Sequence, residues 1–101
     1  MSAALTPRSG AFDEADIRAA FEREGLSPRV WSNGPRDVYA AHEHPYHKVL
    51  YCLRGSIVFT LTDSGERLSL QPGDRLDIEP HTRHAAEVGP EGVTCMEAPR
   101  S

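Results

Sequence analysis

The sequence predicts an all-β fold, a small antiparallel β-barrel or sandwich, with one α-helix near its N-terminus. Three observations carry that expectation. From Val30 onward, apolar residues alternate with period two in short runs, the spacing of half-buried strands. Turn signals rich in Gly and Pro separate those runs at regular intervals, as in small β-barrels and sandwiches. One stretch alone, about residues 12–25, has the spacing of an amphipathic helix.

The elements follow in chain order. Residues 1–11 read as a flexible leader, 12–25 as the helix and 29–98 as a single barrel domain. Asp13 can cap the helix, with Asp16 at the third helical position completing a capping box. Phe12 and Ile17 then stand where a hydrophobic staple forms. Ile17, Ala20 and Phe21 make a short apolar stripe, and Gly25 with Pro28 ends the element. That stripe must cover something, either the outside of the barrel or a second subunit.

Val30 to Ser32, a turn at Asn33-Gly34-Pro35, and Val38 to His44 read as strand, turn, strand. Val49 to Leu53 is a β-rich run ended by Arg54-Gly55. Ser56 to Thr62 alternates, with Ile57, Phe59 and Leu61 on one face. Asp63-Ser64-Gly65 has hairpin chemistry and Glu66 to Leu70 pairs back. A turn at Gln71 to Asp74 leads to a strand carrying Leu76 and Ile78. His84, Ala86 and Val88 share a face, Gly89-Pro90-Glu91-Gly92 turns, and Val93 to Glu97 is a last strand. Residues 98–101 read as a frayed end.

A chain of 101 residues is one domain. The formal net charge of −4, without a basic cluster, argues against nucleic acid as a partner. No apolar run has membrane-spanning length and the first ten residues lack a signal-peptide core, so a cytoplasmic protein with no membrane partner is the expectation. The two cysteines, Cys52 and Cys95, fall in strand interiors without metal-site spacing and read as buried thiols, with a disulfide or a metal thiolate as alternatives.

All five histidines lie between positions 42 and 84. His42 and His44, two residues apart on a strand, would share a face, and His84 arrives from a later strand. Neutral imidazoles gathered in this way suit Zn, Fe or Ni. The alternative is a set of barrel-lining histidines satisfied by water or backbone. His81 sits in a turn and reads as exposed. Trp31 reads as a core or dimer-interface residue.

These residues resemble the cupin superfamily, in particular its small single-domain conserved-barrel members. The first motif of that family is a Gly, a spacer, His-x-His, three or four residues, Glu, six residues, Gly. Here His42-x-His44, position 48 and Gly55 keep the spacing. In the second motif, Gly73, position 79, position 81 and His84 fall in register. The resemblance spans about residues 30–97 and implies a jelly-roll (double-stranded β-helix) barrel. It also implies a divalent metal ion (Zn, Fe, Ni or Mn) on His42, His44 and His84.

The departures are informative. Gly34 lies seven residues before His42, where five are usual. Glu79 and His81 stand at the proline and glycine positions of the second motif, and Val88 at that of its asparagine. Lys48 stands where the family places its metal-binding glutamate. A charged ammonium has no lone pair to give. At about 4 Å and an effective dielectric near 20, a unit-charge contact is worth roughly 4 kcal/mol, so this exchange opposes a dication. Lys48 must point away, be neutral or meet an anion. His47 is the reserve metal ligand: alternation from Lys48 turns it outward, whereas Pro45 leaves residues 44–47 irregular enough for it to turn in. Cupin dioxygenases with three histidines and no glutamate show that the carboxylate is dispensable in the family.

Lys48 and Tyr46 are the candidate ligand-binding residues, with a snorkelling Lys48 and a packing Tyr46 as alternatives. Three functions remain open. The first is a barrel that binds a metal and a small, anionic molecule. The second is a metal-dependent oxygenase, isomerase or lyase. The third is a metal-free barrel for an acidic ligand. Exposed edge strands and the helix stripe favour a homodimer.

Overall fold

The computed structural model describes residues 2–100. The described elements are β1 (Ala3–Thr6), α1 (Glu14–Arg23), β2 (Arg29–Asn33), β3 (Val38–His42), β4 (His47–Leu61), β5 (Arg67–Leu70), β6 (Arg75–Ile78) and β7 (His84–Arg100). They form one antiparallel sheet in the order β1-β6-β4-β7-β2, with β3 also on β7 and β5 also on β4. The fold is the all-β barrel with one helix that the alternation predicts.

The spine is the ladder between β4 and β7, running from His47 opposite Arg100 to Leu61 opposite His84. Here two sequence expectations are corrected. Gly89 to Gly92 does not reverse the chain, and residues 98–100 are not frayed but extend β7. Gly55 has a φ of 75°, and a β-carbon on it would overlap the carbonyl oxygen of Gly92. Glycine at that crossing lets both strands bend while staying paired, with register shifts on either side of Gly55. One strand can then serve two neighbours along its length. Lys48 to Tyr51 pair with β6, and Ile57 to Thr60 pair with β5.

The two faces of β4 bury different cores. Leu50, Cys52, Ile57 and Phe59 point into the barrel with Leu70, Leu76, Ile78 and Val88. Val49, Tyr51 and Leu53 point out, where Ile17 and Phe21 of α1 cover them together with Met96 and Ala98. Phe21 meets Tyr51 edge to face, with ring centroids 5.3 Å apart. The helix stripe therefore covers the outside of the barrel within the chain, the first of its two expected uses. The helix begins as expected: the Asp13 side chain accepts from Asp16 N–H, and the Asp16 side chain accepts from Asp13 N–H.

The expectation of a flexible leader over 1–11 is corrected for residues 3–6. Ala3 to Thr6 add a strand to the free edge of β6, with Ala3 opposite Ile78. Ala3 and Leu5, on one face of that strand, pack on the barrel core. A short alternating segment has little propensity of its own, so an unpaired strand edge decides its structure. No helix among the described residues is long and apolar enough to cross a membrane.

Candidate metal centre

His42 closes β3 and lies opposite His84 at the start of β7. His44 follows in the irregular segment before β4. β3 ends at His42, so His44 is placed by the irregular segment that follows and not by strand alternation. The ring centroids of His42 lie 4.7 Å from His44 and 4.5 Å from His84, and His44 lies 5.2 Å from His84. One candidate ligand atom from each of the three falls within 4.8 Å of the other two.

Two of the rings are fixed by backbone carbonyls. Nδ1 of His42 lies 2.9 Å from the Ala40 oxygen, and Nδ1 of His84 lies 2.8 Å from the Thr82 oxygen. Donation from Nδ1 leaves Nε2 as the lone-pair atom, which is how metal-ligating histidines are commonly oriented. Nε2 of His84 is buried without a hydrogen-bond partner, and so is Nδ1 of His44. His84 itself is 1% exposed. Orphaned buried nitrogens are uncommon, and these two belong to the same cluster.

Burial holds His44 down to about pKa 4, and the Lys48 ammonium and the neighbouring imidazoles oppose its protonation further. Burial also lowers the pKa of His84, against a rise from its Thr82 bond and with a further lowering from His42 and Lys48. Both are neutral near pH 7, so their lone pairs are free.

The two other expected site residues behave differently. His47 is not brought to the cluster. Because β4 begins at residue 47, strict alternation sends His47 to the opposite face from Lys48, and its Nε2 lies 2.8 Å from Asp77 Oδ1. Asp77 is also held by Arg75, which reaches back to Glu24 after the helix. The reserve ligand is therefore part of the outer polar clamp. Tyr46 stacks on His44 at a centroid distance of 5.0 Å and does not line the barrel cavity. It lines a separate cleft with Leu26, Arg29 and Pro99. His81 is exposed, as expected, and takes a φ of 62° where the resemblance places glycine.

Lys48 does point into the barrel, and it meets an anion. Its Nζ lies 3.2 Å from Oε1 of Glu97, with side chains 13% and 8% exposed. The same oxygen accepts from Trp31 Nε1 at 2.6 Å, and Arg29 approaches Oε2 at 3.6 Å. Glu97 was not among the residues expected at the site, whereas Trp31, expected in the core or a dimer interface, packs on the barrel core and also donates to Glu97. The available signal was period two: Glu97 shares the face of Val93 and Cys95, an odd place for a carboxylate without a partner. Trp31, opposite Cys95 in the ladder, is the neighbour that supplies a donor. Between the histidines and this ion pair lies a cavity of about 250 Å³, with walls that include Phe59, Tyr39 and Ala86. Cys52 and Cys95 face each other in the ladder as buried free thiols, the reading expected for them.

A family model for the cupin domain (Cupin_2) matches residues 30–95. No curated protein matches the chain. Solved structures similar to it include a DUF861 family protein from Thermotoga maritima. That protein is 14% identical, with a TM-score of 0.68, over 95% of this chain and 97% of the other. KdgF from Halomonas sp. is 28% identical, with a TM-score of 0.59, over 75% of this chain and 70% of the other. An RmlC-like cupin from Shewanella frigidimarina is 22% identical at a TM-score of 0.63 over 73% of this chain, and the match spans 64% of its own length. With more than half of its residues matched by the family model and a barrel of the same form, the chain belongs to the cupin domain family.

Proposed function

We propose that this protein is a cupin that holds a divalent metal ion on His42, His44 and His84 and binds a small molecule in the cavity beside it. The observation that carries this reading is the pair of buried, unpartnered nitrogens, Nε2 of His84 and Nδ1 of His44, within one group of three histidines. The donor set fits the ion: neutral imidazoles suit Zn, Fe and Ni, and two of the three rings are oriented by backbone carbonyls. Three protein ligands leave open positions for water or an exogenous molecule. An ion bound there would supply Lewis acidity toward an oxygen of that molecule.

Glu97 supports the reading at the point where Lys48 opposed it. The Lys48 ammonium has a carboxylate at 3.2 Å, which offsets its repulsion of a dication. The chain's own residues would thus divide the work. Three histidines hold the ion, Glu97 holds Lys48, and Trp31, Tyr39 and Phe59 line the space beside them.

Elemental analysis after loading with Fe, Zn, Ni or Mn tests this. The wild-type protein is expected to retain one ion per chain, and His42→Ala and His84→Ala to retain almost none. A wild-type protein that keeps no metal after dialysis would overturn the proposal.

A further inference from the structure

The cavity beside the histidines has a charge of its own. Two cations, Arg29 and Lys48, and one carboxylate, Glu97, line it, so its wall carries a net positive charge in a chain whose formal net charge is −4. Low-dielectric walls make such a surplus felt over the whole of a small cavity.

Glu97 does not use up the donors it gathers. Lys48 has three N–H groups, and one suffices for Oε1 of Glu97. Arg29 approaches Oε2 through one terminal nitrogen while its side chain stays 80% exposed, which leaves the rest of its fork free at the mouth. Glu97, held also by the Trp31 indole N–H, fixes the Lys48 ammonium against the cavity wall. A second carboxylate could take the remaining donors of both cations and neutralise the surplus.

The rest of the cavity limits what that anion carries. Trp31 and Tyr39 meet edge to face at 6.0 Å, and Phe59 closes another side. Flat apolar walls in a space of about 250 Å³ favour a small planar body. Drug-sized pockets run to about 300–1,000 Å³, so the occupant belongs to the metabolite range.

We propose that the barrel cavity takes a small organic carboxylate with a flat apolar body, its carboxylate held by Lys48 and Arg29. This rests on the reading of the cavity as a ligand site, but its charge preference comes from the chain and not from the ion.

Benzoate, benzyl alcohol and benzylamine share a ring and differ in charge, so titration calorimetry with these three probes is the test. It is run on chelator-treated and on zinc-loaded protein. Wild-type protein is expected to bind benzoate at least about tenfold more tightly than benzyl alcohol, the value of one charge-assisted hydrogen bond, with benzylamine the weakest. Lys48→Met should remove most of that preference. Because Lys48→Met leaves Glu97 unpaired, Arg29→Ala, a change at an exposed side chain, is the second variant, and it should reduce the preference part of the way.

Equal binding of benzoate and benzyl alcohol, tighter binding of benzylamine, or no binding of any probe would overturn the carboxylate assignment. So would a benzoate preference unchanged in both variants. If zinc is taken up and the preference is absent, the metal centre stands and this assignment fails. If zinc is not taken up and the preference is present, the assignment stands and the metal centre fails.

Discussion

Lys48 and Glu97 face each other inside the barrel at 3.2 Å, both largely buried, on adjacent strands where Leu50 is the register partner of Glu97. The ammonium that stands in place of the family's carboxylate therefore carries its own carboxylate, supplied by the neighbouring strand.

A buried pair of this kind costs more to break than to replace. Lys48→Met should lower stability in urea by about 3 kcal/mol, because it strands the Glu97 charge. Lys48→Met with Glu97→Leu should regain most of that loss. A double variant no more stable than the single one would show that the pair is not coupled.

Metal loading should be visible as stability. An ion at a hundred times its dissociation constant adds about 2.7 kcal/mol to a folded protein that binds it. For a domain near this size, each 1 kcal/mol moves the melting temperature by about 4–8 °C. Zinc is thus expected to raise the wild-type Tm by more than about 10 °C, EDTA to reverse the rise, and His84→Ala to abolish it. An equal rise in His84→Ala would place the ion elsewhere.

Gly55 and Gly65 form a matched comparison, since both have positive φ, 75° and 77°. Nothing lies near the position of a β-carbon on Gly65, whereas one on Gly55 would overlap Gly92. Gly65→Ala should cost only the left-handed strain, about 1–2 kcal/mol. Gly55→Ala adds a backbone overlap that the β4–β7 bend cannot relieve, so more than about 3 kcal/mol is expected. Denaturant midpoints decide it; equal losses would mean that the bend yields.

Asp77 sets an acid limit. Burial alone would raise its pKa, but hydrogen bonds from Arg75 and His47 outweigh that and hold it below 3.8. The unfolded chain then binds a proton before the folded one does. The contribution is complete above about pH 3.8 and is lost as pH falls through the folded value. Asp77→Asn should flatten the fall of the urea midpoint between about pH 4 and pH 2. An unchanged slope would assign acid sensitivity to other carboxylates.

Much of this was legible in the chain. The capping box at Asp13 and Asp16, the alternation through Ile57, Phe59 and Leu61, and the turn at Gly65 are short-range features that neighbours in sequence settle. The grouping of His42, His44 and His84 was legible through their place in two family motifs. The strand boundaries around Gly89 to Gly92 were not, because glycine and proline signal a bend and a reversal alike. His47 was ambiguous for a related reason: where β4 begins decides which way its first side chains, His47 and Lys48, point.

The sequence by itself determined the barrel, its one helix and the three histidines, because periodicity, caps and motif spacing are local properties of the chain. Only the tertiary structure decided that Ala3 to Thr6 fill the edge of β6, that His47 turns out to Asp77, and that Glu97 and Trp31 meet Lys48 in the cavity. Those outcomes depend on the register of strands that lie far apart in sequence. A charge finds its partner through that register, and no local pattern specifies it.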